Sequence, residues 1–214
     1  MSIIIRNRGI LEYTRVLQSM RRLTENRNHT TKDEIWVLEH PPIYTQGLNG
    51  KAENIIDPGN ISVVQSDRGG QATYHGPGQL IVYVLIDLNR KKLGVRRLVS
   101  ALENSVIFTL NQYGITAYSN TKAPGVYVEG KKIASVGLRI RRGCSYHGLG
   151  FNVCMNLSPF EGIHTCGYPS LDVTQLSNLN GPKNSLEVSV PIINQLLKQL
   201  DYTTIDSSQS MLND

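Results

Sequence analysis

The sequence predicts an α+β chain organised as one domain, and three patterns carry that prediction. Residues 80–86, LIVYVLI, form an unbroken apolar run rich in β-branched side chains, which suits a central strand covered on both faces. Val95, Leu98, Val99, Leu102, Val106 and Leu110 recur at helical spacing, and Tyr113-Gly114 behind them supplies a glycine stop. From 115 to 153 short β-rich runs follow one another closely, so sheet dominates this half. A length of 214 residues suits one domain that buries a core without staples.

From the start, residues 3–5 read as a short strand, and Tyr13, Val16, Leu17, Met20 and Leu23 share one face of a helix. The polar stretch 26–33 is a loop. Residues 35–38 read as a strand that stops at His40-Pro41-Pro42, because two prolines remove consecutive ladder donors. An exposed excursion at 47–59 precedes a short strand at 61–64, which leads into RGGQATYHGPG at 68–78. There Gly69, Gly70, Gly76 and Gly78 allow positive φ or close approach of a ligand to the main chain, and Arg68, Gln71, Thr73, Tyr74 and His75 sit between them. So many different donors and acceptors suit a binding loop fixed to a rigid strand better than a plain hairpin turn. After the second helix, 115–118, 126–128, 133–140 and 146–153 read as strands, with Glu129-Gly130 turning between the second and third. The aperiodic stretch 156–169 puts Cys166 on a loop. Leu186, Val190, Ile193, Leu197 and Leu200 predict a last amphipathic helix, capped by Ser189 with Pro191 in its first turn. Residues 1–202 then form the domain, and 203–214 a frayed polar tail.

Composition narrows the function classes. Three cysteines, Cys144, Cys154 and Cys166, are spaced neither for zinc nor for a small disulfide scaffold, which points to a reducing, cytoplasmic setting. The opening MSIIIRNRG lacks a sustained apolar core and no segment approaches a membrane span, so a soluble protein with no membrane partner is expected. The net charge of +5 comes with basic clusters at Lys91-Lys92, Arg96-Arg97 and Arg139, Arg141 and Arg142. Three Phe and one Trp give little stacking surface for nucleic acid, so an acidic protein suits these clusters better.

Chemistry has few candidates. Cys154, between Val153 and Met155, reads as a small packing residue. Cys144 follows Arg141 and Arg142, whose charge would favour a thiolate, whereas Cys166 stands on a loop where a thiol can meet a substrate. On local sequence these two are equal candidates. Lys132 opens a strand of small residues, KIASVG, and an inward-pointing lysine there can stabilise a thiolate or act as a base; its neighbour Lys131 would then point out. His75 reads as a structural group holding the glycine-rich loop rather than as a base, since no carboxylate is placed to orient its ring. The histidines have no metal-ligand spacing and no GxxxxGK[ST] loop is present, so neither a metal nor a nucleotide cofactor is expected.

The string RGGQATYHGPGQLIVY at 68–83 resembles the signature of the octanoyltransferases, also called lipoyl-protein ligase B. The similarity continues through EHPPIYTQG, PGVYVEGKKIASVGLRIRRGCSYHGLGFNV and NLSPFEGIHTCGY in the family's order, and covers roughly residues 39–168. The resemblance implies a biotin/lipoate ligase-like (class II synthetase-like) fold, a mixed β-sheet flanked by helices. It implies transfer of an octanoyl group from octanoyl-acyl carrier protein to a lysine of lipoyl domains, through a cysteine thioester and without ATP. The acceptors implied are the lipoyl domains of 2-oxoacid dehydrogenase complexes and the glycine cleavage H protein. Residue by residue, the family's acylated cysteine matches Cys166 and its strand-opening lysine matches Lys132. Its acyl-binding segments match Arg68, Gly69, Gly70, Gln71, Ala72, Thr73, Tyr74 and His75, then Ser135, Val136 and Gly137, then Gly148, Leu149 and Gly150. Two positions depart from the family pattern: His164-Thr165 before the cysteine, and Gly150 where alanine is common. An ATP-dependent ligase on the same fold and a non-catalytic carrier-binding module are the competing readings.

Overall fold

The computed structural model describes residues 2–169 and 171–206. Its elements are strand β1 (Ser2–Ile10), helix α1 (Tyr13–Asn26), β2 (Asp33–Glu39), β3 (Ile43–Gln46), β4 (Val63–Gln65), β5 (Ala72–His75) and β6 (Gln79–Leu85), followed by the short α2 (Leu88–Lys91). Then come α3 (Val95–Gln112), β7 (Tyr118–Ser119), β8 (Gly125–Val128), β9 (Lys131–Arg141), β10 (Cys144–Asn152), α4 (Ser185–Gln199) and β11 (Thr204–Ile205). Eight strands make one mixed sheet in the order β11-β1-β2-β6-β10-β9-β8-β7, with β1 parallel to both its neighbours and the remaining pairs antiparallel. A small sheet, β4-β3-β5, lies apart from it.

The apolar run at 80–86 is interior to the large sheet and buried throughout β6, as a strand covered on both sides must be. Alternation then sends Leu80, Val82 and Val84 into the core beneath α3 and α4, and Ile81, Tyr83 and Leu85 into the core beneath α1. Most of the α3 stripe behaves as its spacing predicts: Leu98, Leu102, Val106 and Leu110 are fully buried, Val99 is half-buried, Val95 in the first turn is exposed, and Gly114 takes a positive φ of 74° beyond the helix end. Glu129 and Gly130, both at positive φ, turn β8 into β9.

Several expectations change. The stretch 68–75 is not all loop, because residues 72–75 form β5 and pair with β3, a strand the Pro-Pro boundary hid. The run 115–118 yields a strand only at β7. The last helix begins earlier than its predicted cap: the Asn184 side chain accepts from the N–H groups of Leu186 and Glu187, so Ser189 and Pro191 fall inside the helix. Its buried stripe is accordingly Val188, Ile192, Ile193, Leu196 and Leu197, whereas Leu186 and Val190 are exposed. At the end, Thr204 and Ile205 pair with β1 instead of fraying; residues 207–214 lie outside the described residues.

Candidate active site

Glycines on two adjacent strands, β9 and β10, clear a shallow floor on the α1 side of the sheet. Gly148 is the pairing partner of Gly137 on β9 and Tyr83 on β6, and Gly150 that of Ser135 and Ile81. Arg68, Gly69 and Gly70 run over this floor, tied down by the Gly69 N–H to the Leu138 carbonyl at 2.8 Å. The fit is close, since a Cβ on Gly137 would lie 3.2 Å from both Arg68 Cδ and the Gly69 carbonyl. Between loop and floor is a cavity lined by residues 68–73, His75, 135–137 and 148–150, with Cys166 on its wall. Tyr74 is the one member of the expected binding segments that does not line it; its ring packs 5.5 Å from Tyr44 and from Phe160 in a separate cluster. Tyr13, Ile81, Tyr83 and His147 complete the lining and were not anticipated. Ile81 and Tyr83 were signalled by the period-2 alternation of β6; helical spacing put Tyr13 on an apolar face, but no local signal tied it or His147 to this cavity.

Lys132 reaches the cavity wall because of a β-bulge. The pair Val126–Ala134 is followed by Tyr127–Lys132, so β9 takes two steps where β8 takes one. Ile133 and Ala134 consequently both enter the α3 core, and the Lys132 side chain extends to Cys166. Lys131 is exposed and Lys132 is 2% exposed, which resolves the adjacent pair. Lys132 Nζ stands 3.1 Å from Cys166 Sγ and 5.3 Å from the Tyr127 ring centre. Its backbone is held by the Asp172 carbonyl and the Thr174 N–H, at 2.8 and 2.9 Å.

Cys166 has a positive φ of 55°, a conformation uncommon for a residue with a side chain. The turn is enforced from outside: the Gly167 N–H donates to the His164 carbonyl at 2.8 Å, and the His164 N–H donates to the Asn54 carbonyl at 2.9 Å. Asn54 in turn donates to Gln71 Oε1 at 2.6 Å, and a Cβ on Gly167 would lie 2.1 Å from that oxygen. Cys144, an equal candidate on local sequence, is buried and its thiol donates to the Arg142 carbonyl. Burial pushes that thiol up, with Arg27 opposing, so the thiolate favoured by its sequence neighbours does not form readily. Cys154, expected to pack, is exposed.

Behind the cavity lies a polar network whose bonds settle several proton positions. His40 Nδ1–H donates to the Leu11 carbonyl at 2.6 Å, which leaves Nε2 to accept from the Tyr83 hydroxyl at 2.8 Å. Burial lowers the His40 pKa to about 4. His75 sits between Gln79 and Thr45, and burial again keeps it neutral. Gln79 passes the chain to Asn152, and Asn152 donates to the Thr174 carbonyl, the residue whose N–H holds Lys132. Burial would raise the Asp67 carboxyl, but bonds from His147, Tyr146 and Arg21 outweigh it and hold Asp67 well below the usual range. The Arg68 guanidinium donates to the Thr45 carbonyl and hydroxyl and to the Gly69 carbonyl; burial without a carboxylate in contact lowers its pKa.

This architecture is that of the biotin and lipoate ligases. A lipoate-protein ligase A structure bound with ATP superposes with a TM-score of 0.80 at 16% identity, covering 100% of this chain and 90% of that one. A biotin protein ligase from Aquifex aeolicus gives 0.55 at 16% identity, covering 94% and 69%. The chain belongs to the lipoyl protein ligase A/B catalytic domain family, whose model matches residues 12–199. Within it, the octanoyltransferase of Colwellia psychrerythraea is 49% identical over 213 residues, 100% of this chain and 91% of the relative. That of Vibrio vulnificus is 52% identical over 206 residues, 96% and 94%. No helix among the described residues is long and apolar enough to cross a membrane.

Proposed function

We propose that this protein is an octanoyltransferase of lipoate biosynthesis. It takes the acyl group from octanoyl-acyl carrier protein and delivers it to a lysine of lipoyl domains, those of 2-oxoacid dehydrogenase complexes and the glycine cleavage H protein, in the cytoplasm. The observation that carries the reading is the 3.1 Å contact between Lys132 Nζ and Cys166 Sγ on the wall of a glycine-floored cavity. Lys132 as a cation attracts the thiolate, which attacks the thioester carbonyl. The C–S bond to the carrier breaks, and Lys132 protonates the departing thiolate. In the second half the acceptor amine attacks the Cys166 thioester and Lys132 takes its proton. The amide forms as the C–S bond to Cys166 breaks, and the thiolate returns beside the ammonium. Arg68 adds a fixed positive charge facing the space where the carbonyl oxygen becomes an anion. Exchange between thioesters is nearly isoenergetic and the amide lies downhill, so the sequence of steps needs no ATP.

Intact-mass measurement after mixing with octanoyl-acyl carrier protein tests this directly. The wild type should gain one octanoyl group without ATP, and Cys166→Ala should gain none. An adduct that persists in the variant would place the nucleophile elsewhere; product formation that needs ATP and survives Cys166→Ala would return the chain to the ligase class.

A further inference from the structure

Helix α3 carries one carboxylate into the interior. Glu103 is 8% exposed, next to Leu102, and is the one charged side chain among the buried positions of the helix. Its Oε1 accepts from the Gly125 N–H at 2.8 Å. Gly125, at φ +144°, is also where Lys132 lies: a Cβ built there would come within 2.6 Å of Lys132 Cε and 3.2 Å of Nζ. One residue is therefore held on one side by Glu103 and pressed on the other by Lys132.

The other groups meeting the Lys132 side chain are Cys166 Sγ and Tyr127, whose hydroxyl donates to the Ala123 carbonyl and which burial keeps neutral. The 172–174 segment meets Lys132 through its backbone. Cys166, in contact, and Glu103, across Gly125, are thus the groups able to place negative charge near the ammonium. Burial raises the Glu103 carboxyl, and the Gly125 N–H and the Lys132 charge oppose that rise. Once Cys166 is acylated its sulfur is uncharged, so the ammonium that forms when Lys132 takes the amine proton is disfavoured unless another group supplies negative charge.

We propose that Glu103 is a positioning residue for acyl transfer: it fixes Gly125 as the stop for the Lys132 side chain and supplies negative charge for the ammonium that Lys132 becomes during aminolysis. The inference rests on the Cys166–Lys132 reading above. During aminolysis the amine nitrogen bonds to the carbonyl carbon and its proton passes to Lys132 Nζ. Glu103 stabilises that new ammonium until the C–S bond breaks and the thiolate takes over.

The test uses full-length enzyme octanoylated by octanoyl-acyl carrier protein, freed of donor and treated with hydroxylamine, which is a free base across the neutral range. Loss of the adduct is followed by intact mass as a function of pH. Glu103→Gln keeps an acceptor for the Gly125 N–H and removes only the charge. Its acid limb should move to lower pH by on the order of one unit, and its plateau should fall by about tenfold. Glu103→Asp, which keeps the charge, should stay near the wild-type limb. A Glu103→Gln limb superimposed on the wild type, with Lys132→Ala abolishing that limb, would reduce Glu103 to a structural tie. A Lys132→Ala enzyme that retains the limb, or Cys166→Ala that still forms the adduct, would remove the dyad beneath the inference.

Discussion

Lys132 and Cys166 come from segments 34 positions apart, and each is held by neighbours that leave its reacting atom free to act. Lys132 is buried against Cys166, so its positive charge acts directly on the sulfur. Lys132→Ala should therefore slow acylation by roughly 100-fold, most at low pH where thiolate is scarce. Equal acylation rates in variant and wild type across pH would remove the charge role. The imidazoles behind the cavity make a second prediction. His40 is buried neutral, with a folded pKa of about 4 against an ordinary 6.5. A depressed folded value means the unfolded chain binds the proton first, so stability is full above about 6.5 and declines as pH falls toward 4. The loss from His40 alone is on the order of 3 kcal/mol, and His75 and His147, also lowered by burial, act in the same direction. Urea unfolding at several pH values should show the decline, and His40→Gln should flatten it; parallel pH dependences would contradict this account.

Elements explain why the site is where it is. The bulge in β9 allows one strand to serve two surfaces, sending Ile133 and Ala134 to the helix-covered core while Lys132 reaches Cys166. Further along the same strand, Ser135 and Gly137 meet Gly150 and Gly148 in register, and this flat patch floors the cavity that we propose takes the acyl chain. Gly137→Ala would place a methyl 3.2 Å from Arg68 Cδ and the Gly69 carbonyl, closing the gap between loop and floor. The expected outcome is a KM for octanoyl donors raised by about tenfold or more, with a two-carbon acetyl donor much less affected. Equal effects on both donors would mean that the acyl chain lies elsewhere.

At the scale of the molecule, Asp33 joins distant parts of the chain. Its carboxylate takes bonds from Arg27 at 2.9 Å, Arg90 at 2.6 Å, the Asp87 N–H at 2.8 Å and the Tyr202 hydroxyl at 2.7 Å, so the end of α1, α2 and the C-terminal segment meet at the start of β2. Asp33→Ala would leave the Arg27 guanidinium buried without its partner, at a cost of about 3–5 kcal/mol. Denaturant unfolding of the variant would measure it, and a change below about 1 kcal/mol would show that water replaces the carboxylate. Two basic clusters noticed in the sequence are partly engaged in the same way. Arg97 pairs with Asp201 and Arg141 with Glu25, which leaves less free positive surface than the sequence suggested.

The sequence by itself determined the central strand at 80–86, the α3 stripe, the turn at Glu129-Gly130 and the glycine-rich segment that lines the cavity. Each is written in a local period or in backbone freedom, which a few neighbouring residues decide. It also singled out Lys132 at the head of a small-residue strand, whereas Cys166 was preferred only through resemblance, because local charge alone left Cys144 equal. What only the tertiary structure decided was which polar groups are buried and what meets them. Glu103, Asp33 and His147 carry no periodic signal; their environment is made by strands and helices far away in the chain. The same holds for the α4 cap, where Asn184 competes successfully with Ser189 because the helix seats Val188 and Ile192 in the core. Burial and long-range pairing are properties of the folded whole, so side chains whose chemistry depends on them are legible only once the chain has closed around them.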